Sequence, residues 1–446
     1  MSERRSYFLA SLLFLLVLLL LLVSSVPYVY FGIGLLLLCY PLIFDRSRRG
    51  FLPILMFHSV SDSYDRFPNS QLTVSRRNFL NFMRYLKFRG YATLSLNESE
   101  QYIRGERHWR RAIALTFDDG FLDNWVNVAP ILEAYQQKGT IFISYDFVEK
   151  NRDIRQRREL HSKTGIVDEW GYLSEGELLV MQQSGCFDFH PHGVTHTWLF
   201  SGPELTGFHL PGDRSWWLDW NHYPDEKPDW IAFYPQSRSR WGTPLFNYGK
   251  SLEVRRFFPD KAQITTFLQQ VGRLNPPLTE DQLFKTWDDL FADREIPGNY
   301  ESDSDYHARV CSELQQTKSY LEELLRNKCP YFCWPGGGKS SDTIEIAYEQ
   351  IGYRLTTTVQ RETSNRFGVP SKWFYRISAG YSRLFENRLW NLFKFIGHVE
   401  TYRRNYNWIL VFGLIEAIEM LAHKLGKTRR RNDWVFNPQT IKWDQP

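Results

Sequence analysis

Ala112-Ile113-Ala114-Leu115-Thr116-Phe117-Asp118-Asp119-Gly120-Phe121 is the stretch whose reading decides the fold. A short apolar run closed by glycine reads as a strand buried on both faces, the kind that fills parallel sheets. Two adjacent carboxylates stand where it ends. Burying them side by side is costly unless protons or a cation neutralise them, so the pair points to a bound ion. One Asp would hold the ion while its neighbour takes a proton. The other reading is a strand-end turn whose Asp side chains only accept bonds from backbone amides.

Downstream lies Phe187-Asp188-Phe189-His190-Pro191-His192-Gly193-Val194-Thr195-His196. The run 186–189 alternates like a second strand and delivers His192 and His196 just past its end. Imidazoles four residues apart face the same way on a helical turn, a common spacing for two ligands of one divalent ion. One Asp added to them gives a two-His, one-carboxylate face with positions left open for water and substrate. A histidine pair in a loop alone would read as structural; beside the Asp pair, the metal reading is favoured.

These residues resemble a known family, the polysaccharide deacetylases of the NodB-homology type (carbohydrate esterase family 4). The first motif of that family, T-F-D-D-G, is present at residues 116–120, and the second, H-[S/T]-x-x-H, at residues 192–196 with Gly193 in the Ser/Thr slot. The branch that deacetylates poly-N-acetylglucosamine is also similar upstream, at Pro53-Ile54-Leu55-Met56-Phe57-His58-Ser59-Val60, and downstream, at Phe332-Cys333-Trp334-Pro335-Gly336-Gly337. The match runs in order from about residue 52 to about residue 380, excluding a large insertion.

The resemblance implies an α/β fold, a distorted (β/α) barrel, with one divalent metal ion, zinc or else cobalt or nickel, held by Asp119, His192 and His196. It implies Asp118 as general base and His58 as general acid, removing an N-acetyl or other N-acyl group from an amino sugar in a polysaccharide or lipid-linked glycan. Backbone N–H groups around Gly336 would complete an oxyanion pocket, since glycine allows close approach, with Trp334 and Pro335 beside it at the substrate. The Arg-x-Pro usual in the family is missing because Cys333 occupies the Arg slot. Another cation must then orient Asp118, and Arg376 is the expected one. Two other classes stay open: a catalytically silent glycan-binding protein on the same fold, and a non-haem iron enzyme using the same metal face.

Around these motifs, strands and helices alternate. Phe79, Phe82, Met83 and Leu86 recur at helical spacing before Gly90, and strands follow at residues 91–94 and 139–144, as a largely parallel sheet or barrel requires. The predicted catalytic domain spans 51–381 and is interrupted at about 198–303. That insertion is crowded with aromatics, Trp216, Trp217, Trp220, Trp230 and Trp241 among them, which either stack on sugar rings or pack a small core of their own. Residues 382–446 read as amphipathic helices with a basic end at Lys424, Lys427, Arg429, Arg430 and Arg431, which lies on an anionic leaflet or packs as an ordinary helix.

Residues 7–44 are almost wholly apolar, too long for one span and far too long for a signal-peptide core. Ser24, Ser25 and Pro27 interrupt the run, so residues 1–50 read as a membrane hairpin. Arg4 and Arg5 before it, and Arg46, Arg48 and Arg49 after it, favour both ends on the cytoplasmic side. A single anchor that exports the domain is the alternative. Membrane lipid is thus an expected partner. Nucleic acid is not, because a net charge of +4 with no basic stripe gives it no footprint. The five cysteines are odd in number and lack metal-ligand spacing, so they read as free thiols.

Overall fold

The computed structural model describes residues 50–62, 72–160, 167–210, 216–222, 241–274, 279–360, 364–379 and 388–424. Before the insertion the chain builds β1 (Ile54–Phe57), the short pair β2 (Ser59–Val60) and β3 (Thr73–Val74), then β4 (Ala92–Leu94), β5 (Ala112–Phe117), β6 (Gly139–Ile143) and β7 (Phe187–Pro191). The insertion contributes β8 (Trp198–Phe208), β9 (Pro244–Lys250), β10 (Phe257–Pro259) and β11 (Gly298–Tyr300). The return gives β12 (Tyr331–Phe332), β13 (Leu355–Thr358), β14 (Trp373–Tyr375) and β15 (Ile377–Ser378).

β5 is the centre of this arrangement, and every one of its residues is buried, as a strand covered on both faces demands. β1 runs parallel along residues 114–117 on one edge. The opposite edge is shared: β4 pairs with residues 112–114, and β6 with Thr116 and Phe117. β7 lies parallel to β6, and β15 parallel to β1. A second parallel sheet, β12-β13-β14, bridges the two ends. On one side the Cys333 N–H donates to Pro191 O at 3.0 Å; on the other, β14 runs through Arg376 directly into β15. The circuit closes into a parallel α/β barrel whose strand ends carry the two motifs.

Helices cover the barrel where the apolar spacing demands. The helix Arg76–Phe88 is capped by Ser75 and buries Phe79, Phe82, Met83 and Leu86. Phe57, Phe79 and Phe117 meet there with ring centroids 5.3 to 5.8 Å apart. Capping boxes at Ser95 and Ser174 start two further helices, Leu96–Arg104 and Glu175–Gln183.

The insertion has its own core. β8 and β9 form an antiparallel hairpin, and with the helices Lys261–Val271 and Glu280–Leu290 they bury Phe200, Phe208, Phe246, Phe267 and Trp287. Trp220 and Trp241 are partly buried. Trp230 and the side chains of Trp216 and Trp217 lie outside what is described. The aromatics that are described in this insertion therefore go largely into packing.

The C-terminal helix Arg388–Tyr402 packs on the barrel as well. Phe395 stacks on Phe82 with centroids 4.1 Å apart, and Glu400 is buried against Tyr85, Tyr91 and Arg403. The following helix, Tyr406–Lys424, exposes Leu414, Ile418, Met420 and Leu421. The basic residues 427–431 and the apolar run 7–44 lie outside the described residues. Among the described residues, no helix is long and apolar enough to cross a membrane.

Candidate metal centre

The turn after β5 separates the two carboxylates. Asp119 adopts φ +77 and Gly120 φ +73, a left-handed pair that Asp and Gly tolerate better than bulkier residues. Asp119 consequently turns toward the histidines while Asp118 turns into the barrel. Asp119 Oδ1 stands 3.3 Å from His192 Nε2 and 3.2 Å from His196 Nε2. The candidate ligand atoms of these three residues lie within 4.8 Å of one another.

This set fits a divalent ion. Asp119 Oδ1 is buried and no hydrogen bond of sound geometry satisfies it. His192 Nδ1 faces Cys333 O at 2.8 Å, and donation there leaves the Nε2 lone pair pointing at Asp119. A carboxylate oxygen and a bare ring nitrogen repel at this distance unless a proton or a cation lies between them. Two imidazoles and one carboxylate are a donor set suited to zinc and its neighbours.

The histidines do not ride a helical turn, contrary to the spacing argument. They sit in a loop in which Gly193 takes φ +80 and His196 φ +45, and their ring centroids are 4.9 Å apart. A buried acid on the helix Asp303–Leu325 shapes that loop. Glu313 accepts from the N–H groups of Val194 (2.8 Å) and Thr195 (3.1 Å) and from the Thr195 hydroxyl, and one turn later the Thr317 hydroxyl donates to Gly193 O at 2.8 Å. The glycine in the family's Ser/Thr slot has a reason in space as well as in φ, because a Cβ there would stand 3.0 Å from Pro335 Cγ.

Asp118 is gripped from the far side of the barrel. Arg376 donates to its two oxygens at 2.5 and 2.8 Å, a bidentate pair, and also to Thr116 Oγ1 at 3.2 Å. Cys333 sits against this pair, with Sγ 3.0 Å from Arg376 Nη2 and 3.7 Å from Asp118 Oδ2. Its N–H closes the barrel and its carbonyl fixes His192, so one residue serves four contacts. Burial pushes the Asp118 carboxyl up, but the Arg376 guanidinium, then His192 and His58, outweigh it and hold it below its ordinary value. Burial likewise opposes ionisation of Asp119, yet His196 and His192 hold it well below the usual range. His58 Nε2 lies 3.7 Å from Asp118 Oδ2, partly buried; desolvation lowers its pKa against the opposing pull of Asp118 and Asp119.

Of Trp334, Pro335 and Gly336, expected at the substrate, the first two are buried and only Gly336 is exposed. The Trp334 ring, two residues past the last residue of β12, is buried against Phe332 in one cluster with Leu252 and Tyr306. Gly337 and Gly338 spend their N–H groups on Trp334 O and Pro335 O. That narrows the oxyanion candidates in this turn to Gly336, which is exposed.

Asp118, Asp119, His58, His192, His196 and Arg376 are thus brought together by four segments of one barrel rim: the turns after β1 and β5, the loop after β7 and the junction of β14 with β15. Glu313, Thr317 and the Cys333 contacts escaped the reading of the sequence. Their one signal was a Glu and a Thr, four residues apart, on the buried stripe formed by Tyr306, Val310, Leu314 and Leu321.

Comparison with known proteins agrees with the motifs. Residues 106–214 match the polysaccharide deacetylase family. YxkH of Bacillus subtilis (strain 168), a curated protein whose own polysaccharide deacetylase assignment is provisional, is 34% identical over 93 residues, which is 21% of this chain and 31% of that protein. The chain therefore spans about a third of the curated relative it matches. Among solved structures, the de-N-acetylase of Aggregatibacter actinomycetemcomitans is similar at a TM-score of 0.45 and 15% identity, covering 73% of this chain and 94% of that one. The BpsB deacetylase domain of Bordetella bronchiseptica is similar at 0.45 and 17%, covering 75% and 97%. Likenesses at these TM-scores decide nothing about activity or substrate.

Proposed function

We propose, on the premise that the chain carries a polysaccharide deacetylase domain of the NodB-homology type, that the protein is a metal-dependent hydrolase removing an N-acyl group, acetyl in the first instance, from an amino sugar. The observation that carries this is the pairing of two unlike carboxylates at one strand end. Asp119 faces two imidazoles, and Asp118 is held by Arg376 beside them.

Asp119, His192 and His196 would hold the ion, zinc with cobalt or nickel as alternatives. A bound divalent ion supplies a water of lowered pKa and polarises the acyl carbonyl. The remaining steps belong to the chain's own groups. Asp118 accepts the water proton, and its depressed pKa keeps it ionised and ready near neutrality. Arg376 fixes both oxygens of that carboxylate, so the base is aimed without the rotational search of a free side chain. Cys333 O locks the His192 ring in the ligating tautomer. The exposed Gly336 would offer its N–H to the oxyanion, and His58, 3.7 Å from Asp118, delivers the proton that lets the amine depart.

The test is acetate release from N-acetylglucosamine oligosaccharides by the purified full-length protein. Activity should vanish on treatment with a chelator and return with zinc, cobalt or nickel. Chelator-resistant release would contradict the metal, and no release from any N-acylated amino sugar would contradict the activity. Residues 7–44 are proposed to hold the chain at a membrane, with the catalytic domain on the cytoplasmic side by the positive-inside tendency. A reporter fused to the C-terminus checks the side: an exported signal reverses the orientation.

A further inference from the structure

The insertion reaches the rim of the site through Lys250, the last residue of β9. The stem of this side chain lies across the glycine turn after β12. A Cβ built on Gly338 would stand 2.4 Å from Lys250 Cβ and 2.5 Å from its Cδ, and one on Gly336 would stand 3.2 Å from its Cε and 4.0 Å from its Nζ. Gly338 has φ −70 and ψ 123, a conformation any residue adopts, so it is space for Lys250 that demands glycine there. The ammonium therefore ends at Gly336, the turn residue assigned above to face the reacting carbonyl.

A second lysine adjoins it. Lys339 Nζ donates to Gly337 O at 3.3 Å and lies 5.6 Å from the Trp373 ring centroid. Burial first, and then the charge of Lys250, lowers the Lys339 pKa, with exposed Glu253 opposing. Among the described residues neither lysine forms an ion pair with a carboxylate. Two partly buried ammonium groups on one glycine turn repel one another, exposed Glu253 offsets this only in part, and an anion between them relieves the repulsion. Beside them, Trp198, two residues beyond His196, lies 5.5 Å from Lys250 Nζ, with the Tyr248 ring 5.7 Å away. An aromatic pair next to cations is a surface on which a sugar ring and its charged substituent can both be held.

We propose that Lys250 and Lys339 form a phosphate subsite on this glycine turn, so that the substrate is an N-acylated amino sugar carrying a phosphate. Two positive charges match a phosphate or diphosphate better than a single carboxylate. A sugar phosphate, a nucleotide sugar and a lipid diphosphate sugar share this chemistry. The inference rests on the deacetylase reading for what happens at the acyl group, but its binding prediction can be read separately.

The experiment is calorimetric binding by the full-length protein of four probes: N-acetylglucosamine 1-phosphate, its uridine diphosphate ester, its polyprenyl diphosphate ester in detergent, and neutral tri-N-acetylchitotriose. Phosphorylated probes should bind at least about tenfold more tightly than the neutral one, and the tightest arm identifies the source of the phosphate. Lys250→Met, which keeps the stem in the glycine groove, and Lys339→Gln should each remove that preference while neutral binding stays; Lys250→Arg should retain it. Equal or absent binding of phosphorylated and neutral probes, or a preference that survives Lys250→Met and Lys339→Gln, overturns the subsite. Acetate release from the neutral trisaccharide reports on the deacetylase reading alone, so failure of one is distinguishable from failure of the other.

Discussion

Arg376 and Asp118 illustrate how much of this site is decided by single side chains. A bidentate guanidinium on a buried carboxylate leaves that carboxylate charged where burial alone would protonate it. Removing the acid's charge should therefore separate binding from chemistry. Asp118→Asn is expected to keep its metal, by elemental content, and to lose turnover by about 10²–10⁴-fold; retained deacetylation would remove Asp118 as the base. Replacing the cation strands a buried charge. Arg376→Leu should cost about 3–5 kcal/mol in denaturant unfolding. With the largest charge opposing burial gone, the folded-state pKa of Asp118 then rises. The wild-type carboxyl is depressed, so its stabilising share is present above the ordinary carboxylate pKa and is lost only as pH falls through the lowered folded value. In Arg376→Leu the acid limb of the activity profile should move to higher pH, and an unmoved limb would argue that another group sets it. The Asp pair and the His pair were legible because each is contiguous in sequence. Glu313 and Cys333 were not, since they meet residues 194 and 118 only after the barrel closes.

Among the elements, the loop 192–196 shows where a periodicity argument gives way to backbone conformation. The spacing put both imidazoles on one helical turn, whereas Gly193 at φ +80 and the carboxylate of Glu313 produce the same convergence without a helix. Gly193→Ser restores the family's usual residue but sets a side chain at positive φ, 3.0 Å from Pro335. It should destabilise the loop by about 1–2 kcal/mol and lower metal occupancy; full occupancy at unchanged stability would show that the loop adapts. β2 holds a second element-level prediction. Burial raises Asp123 to about 7, against bonds donated by Ser59, Val60 and Asn124 and with the charge of Glu169 adding to the rise. The folded state then keeps a proton that the unfolded chain has already lost, so stability should fall as pH rises from about 4 to about 7. Asp123→Asn should flatten that decline in the thermal midpoint, and an unchanged slope would assign it to other groups. The strands β1, β5 and β6 and the helix Arg76–Phe88 were legible because their apolar periods are long and regular.

The whole molecule joins a barrel, an insertion with its own core and a pair of C-terminal helices. The first of those helices is a packing element, with Phe395 on Phe82. The second exposes Leu414, Ile418 and Leu421 on one face. We propose that this exposed apolar face rests on a membrane surface. Leu414→Glu with Leu421→Glu is expected to weaken binding of the protein to anionic vesicles without altering turnover of a soluble substrate; unchanged binding would leave those leucines no such role. Composition and motifs made the barrel and the insertion legible at this scale. Which insertion residue would reach the rim was not, because Lys250 arrives there only through the room left by Gly336 and Gly338. The central claim remains the ion. Anomalous diffraction from zinc-loaded crystals at the zinc edge tests it most directly. The prediction is a single peak about 2.0–2.2 Å from Asp119 Oδ1, His192 Nε2 and His196 Nε2. A peak on the neighbouring set of Asp118, His192 and Cys333, or no peak at all, would contradict it.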